Sequence, residues 1–482
     1  MDSIVTRIVT EMVHKVFAHI EKNGLDRLAV MGTALQQYSN ECVLQLLQAL
    51  IEETDRMLLE NKALRRSDRL TVQQKDVPRE LATVFGALRY RRTYYRYVPE
   101  RGTPCYMYLT DEIIGVESYE RVTKDLIAEI LSDAETLSYE KAARNNGGQV
   151  SRQTVHDRLL AAEEFCSDTE RLAAPAKGLD IFADEDHVHI QTGKGRPRKT
   201  VAVPLVTVTE GIQGHRTVRP FHVQGYGMQS DALAENVLAA VCQRYGTDTD
   251  FPIRVHCDGG GWIKTLSDVL PNARVFADEF HVQKYLKKLL HLKNGGRYAQ
   301  RMCSALNRCD WDAFFSLGTE LAGEQDEKGV RNANDALGYF YRNREAIGNR
   351  MQAKTGDICG SCTEGLISQT LSARLSRDPL SWSEKGLRKM SSLIVFRKNG
   401  GKITHSHIRK SVTERFLTED AARFKENGFR KYYMYAKEQT DRFLQNNYDW
   451  STLDPARPTY GKIDGTHVLL SALGRVRDTC CA

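Results

Sequence analysis

No stretch of this 482-residue chain approaches the roughly 18–20 consecutive apolar residues that a membrane-spanning helix needs. The first residues, MDSIVTRIVTEMVHKVF, carry acids early and lack the order of positive charge, apolar run and small residues that marks a signal peptide. These two absences exclude a membrane protein and favour a soluble protein of the cytoplasm.

The spacing of a disulfide framework or a structural zinc site is also missing. The 11 cysteines are scattered and odd in number, which favours reduced thiols. The one CxxC pair, Cys359 and Cys362, has no second pair or CxxH to complete a tetrahedral site. Zinc is therefore not expected there.

Acidic residues are absent from two long stretches that are rich in Lys and Arg. Seven basic residues lie between His281 and Cys309, and eight between Glu384 and Glu414, although the net charge of the chain is only +6. A solvated helix face normally mixes both signs, whereas long blocks of one sign favour a polyanion partner. The first block supplies three candidate DNA-binding lysines: Lys284, Lys287 and Lys288.

The length predicts two to four domains at roughly 150 residues each. Residues 1–78 are expected to be a helical N-terminal region, because apolar residues recur at steps of three and four. Within the next region, 79–170, the segment VFGALRYRRTYYRYV (84–98) interleaves aromatic residues with arginines. It is either a basic hairpin that lies against phosphates or a half-exposed pair of strands.

The second half of region 79–170 has the pattern of a helix-turn-helix. Two helical segments are followed by the turn Gly147-Gly148 and by a third helix that Ser151 would cap. Arg152 and Gln153 would then lie at the start of a recognition helix that enters the DNA groove. An ordinary helical hairpin explains the same pattern.

The richest segment begins at Leu179 and alternates strands with helices. Three strands come first, the first ending near Asp184, and then helix, strand, helix, strand and helix follow. That order fits an α/β ribonuclease-H-like core with a mixed sheet, in which the first strand lies parallel to the strand that ends at Asp258. Both aspartates would meet at the carboxyl edge of the sheet, where the glycines after Asp258 keep side chains out of the approach.

Paired carboxylates repel each other, and a hard divalent cation is the usual remedy. Mg²⁺, with Mn²⁺ as a substitute, would suit phosphoryl transfer, in which one ion activates the attacking oxygen and a second stabilises the leaving oxygen. A third carboxylate normally completes such a site, and Glu364 at the start of a helix is the candidate. Strand alternation leaves open whether Asp184 or Asp186 is the first ligand.

Four motifs occur in one order along the chain: ADEDHV, CDGGGWI, DEFHVQKY and CTEGLISQTLSARLSRDPLSW. Together they resemble the DDE transposases of bacterial insertion sequences, most closely the ISLre-type family, which is related to the Mutator superfamily. The resemblance implies a catalytic, metal-binding triad of Asp184, Asp258 and Glu364, with Asp278 and His281 as a supporting pair. It also implies a catalytic core at 179–281 and 358–395, a helical insertion at 282–357 and a basic C-terminal region at 396–482.

The same resemblance implies a DNA transposase of the bacterial cytoplasm, associated with the nucleoid. Its partners would be the terminal inverted repeats of the element and the target DNA, bound by a homo-oligomer that brings two DNA ends together. Two alternatives are a nuclease or resolvase of the same fold without strand transfer, and a non-catalytic DNA-binding protein from a decayed element.

Further basic residues would contact the DNA backbone beside such a site. The loop GKGRPRKT (193–200) is either a backbone clamp or a solubilising hairpin, and Arg374 follows Glu364 on its helix. The loop contributes four candidate contacts: Lys194, Arg196, Arg198 and Lys199.

Overall fold

A computed structural model describes ten stretches of the chain: residues 4–24, 31–99, 103–167, 170–193, 199–214, 216–247, 250–353, 362–378, 380–408 and 429–447. The chain divides into two compact units. The first comprises Met1–Ile130, Tyr139–Val155 and Ile408–Ala482, and the second comprises Leu131–Ser138 and His156–His407. No helix among the described residues is both long enough and apolar enough to cross a membrane.

The first unit contains helices and a three-stranded antiparallel sheet of order β1-β2-β3. In chain order its elements are α1 (Ile4–Asn23), α2 (Gly32–Glu60), α3 (Lys62–Ser67), β1 (Leu70–Thr83), β2 (Gly86–Tyr97), β3 (Cys105–Met107), α4 (Leu109–Ile113), most of α5 (Lys124–Ala134), α6 (Tyr139–Asn145), the start of α7 (Arg152–Ala161) and a late helix, Phe429–Asn447.

The β-hairpin in region 79–170 is present, but it begins earlier than expected. β1 starts at Leu70, so the predicted boundary between 78 and 79 falls inside a strand. The pairing with β2 shifts register between Val72 and Val77, and Asp76 has a positive φ of 55°. Such a bulge interrupts the alternation of apolar and polar residues by which a strand is recognised. The first half of β1 was therefore not predicted as a strand.

The three helices of the predicted helix-turn-helix form as α5, α6 and α7. The Ser151 hydroxyl accepts a hydrogen bond from the Thr154 amide at 3.1 Å, so the predicted cap is confirmed. Arg152 and Gln153 are exposed at the start of α7. The boundary between the two units runs through α5 and α7, so residues 79–170 do not form a separate domain.

The second unit is built on a five-stranded mixed sheet of order β10-β9-β4-β5-β8. Its strands, with a small hairpin and two crossover helices, are β4 (Leu179–Ile190), β5 (Lys199–Thr209), β6 (Ile212–Gln213), β7 (Arg216–Thr217), β8 (Phe221–Gln224), α8 (Ser230–Tyr245), β9 (Ile253–Cys257), α9 (Gly261–Val269) and β10 (Ala273–Ala277). β4, β5 and β8 are antiparallel, whereas β9 is parallel to β4 and β10 is parallel to β9. The predicted antiparallel meander and the predicted parallel pairing of β4 with β9 are therefore confirmed.

The two faces of this sheet differ in chemistry because side chains alternate along a strand. Leu179, Ile181 and Ala183 of β4 point into an apolar core shared with α8 and α9. The alternate residues of β4 and β9 include Asp180, Asp184, Arg254 and His256. We call the sheet surface that carries these alternate residues the polar face.

Helices follow the sheet, and five of them share a separate apolar core. They are α10 (Glu279–Leu290), α11 (Gly295–Asn307), α12 (Trp311–Gly323), α13 (Glu327–Arg342) and α14 (Arg344–Gln352). The predicted insertion at 282–357 is thus helical where it is described, although α10 begins before residue 282.

The chain then returns to the sheet through α15 (Thr363–Ile367), a π-helical turn (Ser368–Ser372) and α16 (Ala373–Leu375). α17 (Glu384–Lys398) follows, and Ser383 caps it by accepting a hydrogen bond from the Gly386 amide. The C-terminal region predicted to begin at 396 therefore starts inside a helix. α17 is buried along most of its length, which explains why its basic residues did not mark a boundary.

Candidate active site

Three aspartates occupy corresponding positions on three neighbouring parallel strands. Phe182 pairs with His256, and Ala277 pairs with Cys257. If the first register is continued by two residues, Asp184 lies beside Asp258. If the second is continued by one residue, Asp258 lies beside Asp278, on strands about 4.8 Å apart. The sheet therefore carries a row of carboxylates along its polar face, at the point where β9 and β10 end.

The strand that carries Asp184 does not end there, contrary to expectation. β4 continues to Ile190, because it pairs with β5 from Asp180 to Ile190, whereas its pairing with β9 stops at Phe182. Asp184 thus projects from the middle of a continuous strand, next to the edge that β9 leaves open.

The environment of Asp184 disfavours its charged form. Burial is the main cause that raises the pKa of Asp184 to about 6; the Glu185 amide, which donates to Oδ1 at 2.8 Å, opposes the rise, and repulsion by Asp258 adds to it. Among the described residues, no lysine or arginine forms a salt bridge with Asp184 or Asp258. Within the described ranges the two acids thus have no lysine or arginine partner, although His281 lies near enough to favour the charged form of Asp184.

Asp258 is held by the glycines that follow it. Its Oδ1 accepts a hydrogen bond from the Gly260 amide at 2.9 Å. Gly259 has a φ of +104°, and a Cβ there would lie 2.6 Å from Oδ1 of Asn343. A side chain at 259 is thus excluded twice, by backbone conformation and by contact. The amide of Asn343, from the helical insertion, lies in the space that the sequence suggested was open.

Asp278 and His281 form the start of α10. Asp278 is 3% exposed, and its Oδ1 accepts a hydrogen bond from the Phe280 amide at 2.8 Å, which caps the helix. His281 lies near enough to Asp184 to lower the pKa of that carboxyl, although less than burial raises it. Its Nδ1 is buried, with no hydrogen-bond partner in the described part of the chain. The predicted supporting pair thus lies beside the two aspartates.

Asp186, the alternative first ligand, has a different environment. Its Oδ1 accepts hydrogen bonds from the hydroxyls of Ser372 at 3.0 Å and Ser376 at 2.8 Å. These bonds attach the segment after α15 to β4. The structure brings Asp184, rather than Asp186, to Asp258.

Glu364 is not gathered with the aspartates. It is exposed on α15, a helix that contacts β4, and it lines a cleft beside α10. No group of three His, Cys, Asp or Glu side chains within the described ranges is arranged to hold a metal ion. The expected three-carboxylate site is therefore not assembled, although Asp184 and Asp258 alone fit Mg²⁺, which commonly takes one or two protein carboxylates and leaves its other positions to water and phosphate.

One feature of the polar face was missed from the sequence. Asp180 is 1% exposed; Arg254 donates to both of its oxygens at 2.9 Å, and Nε2 of His256 lies 2.8 Å from Oδ1. Burial alone would raise the pKa of Asp180, but these partners lower it to about 2. The His256 ring also stacks on Phe182, with centroids 4.6 Å apart. Alternating polar residues in LDIFAD and IRVHCD were the signal that could have revealed this network.

The candidate DNA contacts fall into different environments. Lys284 and Lys287 are exposed on α10, Lys199 is exposed at the start of β5, and Lys288 forms a salt bridge with Asp335 at 2.6 Å. The other three loop residues lie outside the described residues: Lys194, Arg196 and Arg198.

Arg374 does not have the environment of a phosphate contact, and that prediction is wrong. Its side chain is 8% exposed, its Nε donates to the carbonyl of Ala134 at 3.0 Å, and its guanidinium lies 4.9 Å from the centre of the Trp382 ring. Arg374 is held in the interior by the Ala134 carbonyl and the Trp382 ring. In the second basic block, Lys389 and Arg397 likewise pair internally, with Glu164 at 2.8 Å and Glu135 at 3.4 Å.

Comparison with known proteins gives one consistent result. A family model described as "Uncharacterised protein family (UPF0236)" matches residues 21–411. A UPF0236 protein of Caldanaerobacter subterraneus subsp. tengcongensis is 29% identical over 399 residues, which is 81% of this chain and 82% of the relative. A second UPF0236 protein of that organism is also 29% identical, over 81% of this chain and 78% of the relative.

Proposed function

The chain belongs to UPF0236, an uncharacterised protein family, and we propose that it is a DNA transposase that cleaves and joins DNA at the ends of an insertion sequence. One observation carries the proposal. Asp184 and Asp258 lie on adjacent strands at the edge of the sheet, with the pKa of Asp184 raised by burial and by its neighbour to about 6. An acid pair with a perturbed pKa in an open part of a sheet is a common sign of a functional site.

The sheet supports a ribonuclease-H-like core. An antiparallel meander of β4, β5 and β8 is extended on the other side of β4 by the parallel strands β9 and β10. This order puts the first acid on the central strand and the second at the end of its parallel neighbour. Ligands of open α/β sheets bind at the carboxyl ends of such strands.

The donor set supports Mg²⁺, or Mn²⁺ in its place. Asp184 and Asp258 would hold the ion through carboxylate oxygens, and Glu364 on α15, the helix that contacts β4, would be the third ligand. When bound, the metal would supply electrostatic activation of the attacking oxygen and stabilisation of the leaving oxygen. Asp278 fixes the first turn of α10 and so positions His281 beside Asp184.

The names of the relatives give independent support. The name of one relative joins eleven locus names from a single genome, and that of another joins four. A protein encoded at many places in one genome is what an element that copies or moves itself produces. This pattern is difficult to reconcile with a metabolic enzyme or a structural protein.

The exposed basic residues would bind duplex DNA. Lys284 and Lys287 lie on α10, directly after the row of aspartates, and Arg152 and Gln153 lie at the start of α7. Lysines at such positions contact phosphates and contribute affinity that falls with salt. Joining two DNA ends requires at least two active sites, so we expect a homo-oligomer on DNA.

The direct test uses duplexes copied from the DNA that flanks the reading frame. The wild-type protein with Mg²⁺ should nick these duplexes and, in a joining assay, transfer the new 3′ ends into a target plasmid. Asp258→Asn should lower both rates by at least about a thousand-fold, roughly 4 kcal/mol of transition-state stabilisation. Asp268→Asn, an exposed aspartate on α9, is the matched control and should keep both rates.

Normal cleavage by Asp258→Asn would refute the assignment. Cleavage without joining by the wild-type protein would instead identify a nuclease or resolvase of the same fold.

One observation favours a non-catalytic DNA-binding protein: no three-ligand metal group is assembled among the described residues. Isothermal titration with Mn²⁺ separates the two functions. A transposase should bind Mn²⁺ and lose that binding in Asp184→Asn, whereas a non-catalytic protein should give no difference between the two.

A further inference from the structure

A cleft of about 420 Å³ opens beside the first turn of α10. It lies next to the row of aspartates, because α10 begins directly after Asp278. Residues of both α10 and α15 line it: Glu279, Phe280, Gln283, Cys362, Glu364 and Gly365. The proposed function gives this cleft no role apart from Glu364.

Phe280, the aromatic residue of this cleft, is held in place by two neighbouring residues. The backbone amide of Phe280 is hydrogen-bonded to Asp278, and its ring meets that of His281 edge to face at 5.3 Å. The Phe280 side chain is nevertheless 47% exposed. About half of the surface of Phe280 thus remains open to a ligand, at a place where the backbone is anchored.

The charges of the cleft decide which part of a DNA strand could enter it. Glu279 and Glu364 line it; Arg350 pairs with Glu279 at 2.8 Å, and among the described residues no lysine or arginine forms a salt bridge with Glu364. Carboxylates repel a phosphate but accept hydrogen bonds from the amino groups of bases. Gln283, three residues after Phe280 and on the same side of the helix, adds an amide that both donates and accepts.

We propose that this cleft holds an unpaired base of the DNA substrate, stacked on Phe280 and hydrogen-bonded by Gln283. The inference rests on the proposed function for its substrate, and it adds a requirement: the DNA must open next to the site of cleavage. Stacking on an aromatic side chain is tolerant of sequence, since every base has a planar face. Phe280 is accordingly a positioning residue.

The experiment measures binding without metal, so that it does not depend on cleavage. Fluorescence anisotropy in EDTA compares a fluorescein-labelled 30-base-pair duplex with the same duplex carrying a four-nucleotide unpaired fork at one end. Wild-type protein should bind the fork about tenfold more tightly, in the range that stacking of one base supplies. Phe280→Ala should bind both probes equally, and Phe280→Tyr should restore the preference.

Tyr341→Ala is the matched control, because Tyr341 is an aromatic residue of α13, 60% exposed and away from the cleft. It should keep the tenfold preference. A wild-type protein without a preference for the fork, an unchanged preference in Phe280→Ala, or an equal loss in Tyr341→Ala would each overturn the inference. The proposed function fails separately, through normal cleavage by Asp258→Asn.

Discussion

Asp180 and Asp184 lie four residues apart on one face of β4, yet they have opposite environments. Asp180 is hydrogen-bonded to Arg254 and His256, and these partners lower its pKa to about 2. Asp184 lies against a second acid, and its pKa is raised to about 6. Burial by itself would raise the pKa of both carboxyls. The difference between their pKa values therefore comes from the groups that lie next to each one.

This difference shows how one strand can serve both stability and chemistry. The part of the polar face around Asp180 has its charges paired within the protein and needs no ligand. The part around Asp184 and Asp258 has two carboxylates and, among the described residues, no lysine or arginine paired with them, so under the proposed function a divalent ion would complete it. The following experiments test whether stability depends on the first part and ligand binding on the second.

The largest effect is expected from Asp180→Asn. It removes the carboxylate from a buried network and leaves Arg254 without its bidentate partner, which should lower the free energy of unfolding by about 3 kcal/mol. Asp184→Asn, the same change on the same face, should leave stability equal or higher in the absence of metal. Urea unfolding in EDTA measures both. Equal losses in the two variants would remove the distinction between the two parts of the face.

The second prediction concerns pH. The folded-state pKa of Asp184 lies above its usual value of about 4, so this carboxyl favours folding most when protonated, and that contribution is lost as the pH rises through 6. Asp180 behaves oppositely: its contribution is present above about pH 4 and is lost as the pH falls towards 2.

Protons should also compete with metal at Asp184. Titration calorimetry should show the affinity for Mn²⁺ falling about tenfold per pH unit below about pH 6, and levelling above it. An affinity that stays constant from pH 7 to 5 would show that Asp184 is not a ligand.

A smaller effect is expected from Asp186→Asn. Its amide oxygen can still accept from the two serine hydroxyls, so stability should fall by about 1 kcal/mol. Mn²⁺ affinity should be unchanged, in contrast to Asp184→Asn. Ser372→Ala, which deletes one of the same hydrogen bonds, is the control and should cost about as much. Loss of Mn²⁺ binding in Asp186→Asn alone would transfer the ligand role to that residue.

The smallest effect is expected from Lys287→Ala. One lost phosphate contact should reduce the slope of log affinity against log salt by about 0.9, with a several-fold loss of affinity at physiological salt. Lys328→Ala, an exposed lysine on α13, should leave the slope unchanged. DNA binding across a salt series measures both variants, and the same slope for both would exclude α10 as the DNA-binding surface.

Sequence patterns predicted the architecture of the second unit well. Continuous apolar strands, the turn signals between them and the alternation of strands with helices predicted the order of elements along the chain, the antiparallel meander and the parallel pairing of β4 with β9. The cap at Ser151 was predicted for a similar local reason, whereas the helical insertion was implied by the family resemblance. The bulge in β1 and the burial of Arg374 were missed, because both depend on neighbours that are distant in the chain.

The sequence by itself determined that acids would stand at Asp184, Asp258 and Asp278, since local patterning fixes where β9 and β10 stop and which side chains follow them. Tertiary structure alone decided the state of each acid. Arg254 and His256 neutralise Asp180, two serines from the returning chain engage Asp186, and Asp184 is left facing Asp258. The physical reason is that the free energy of a buried charge depends on what lies a few ångströms away in space, and that distance is set by the packing of segments far apart in the chain.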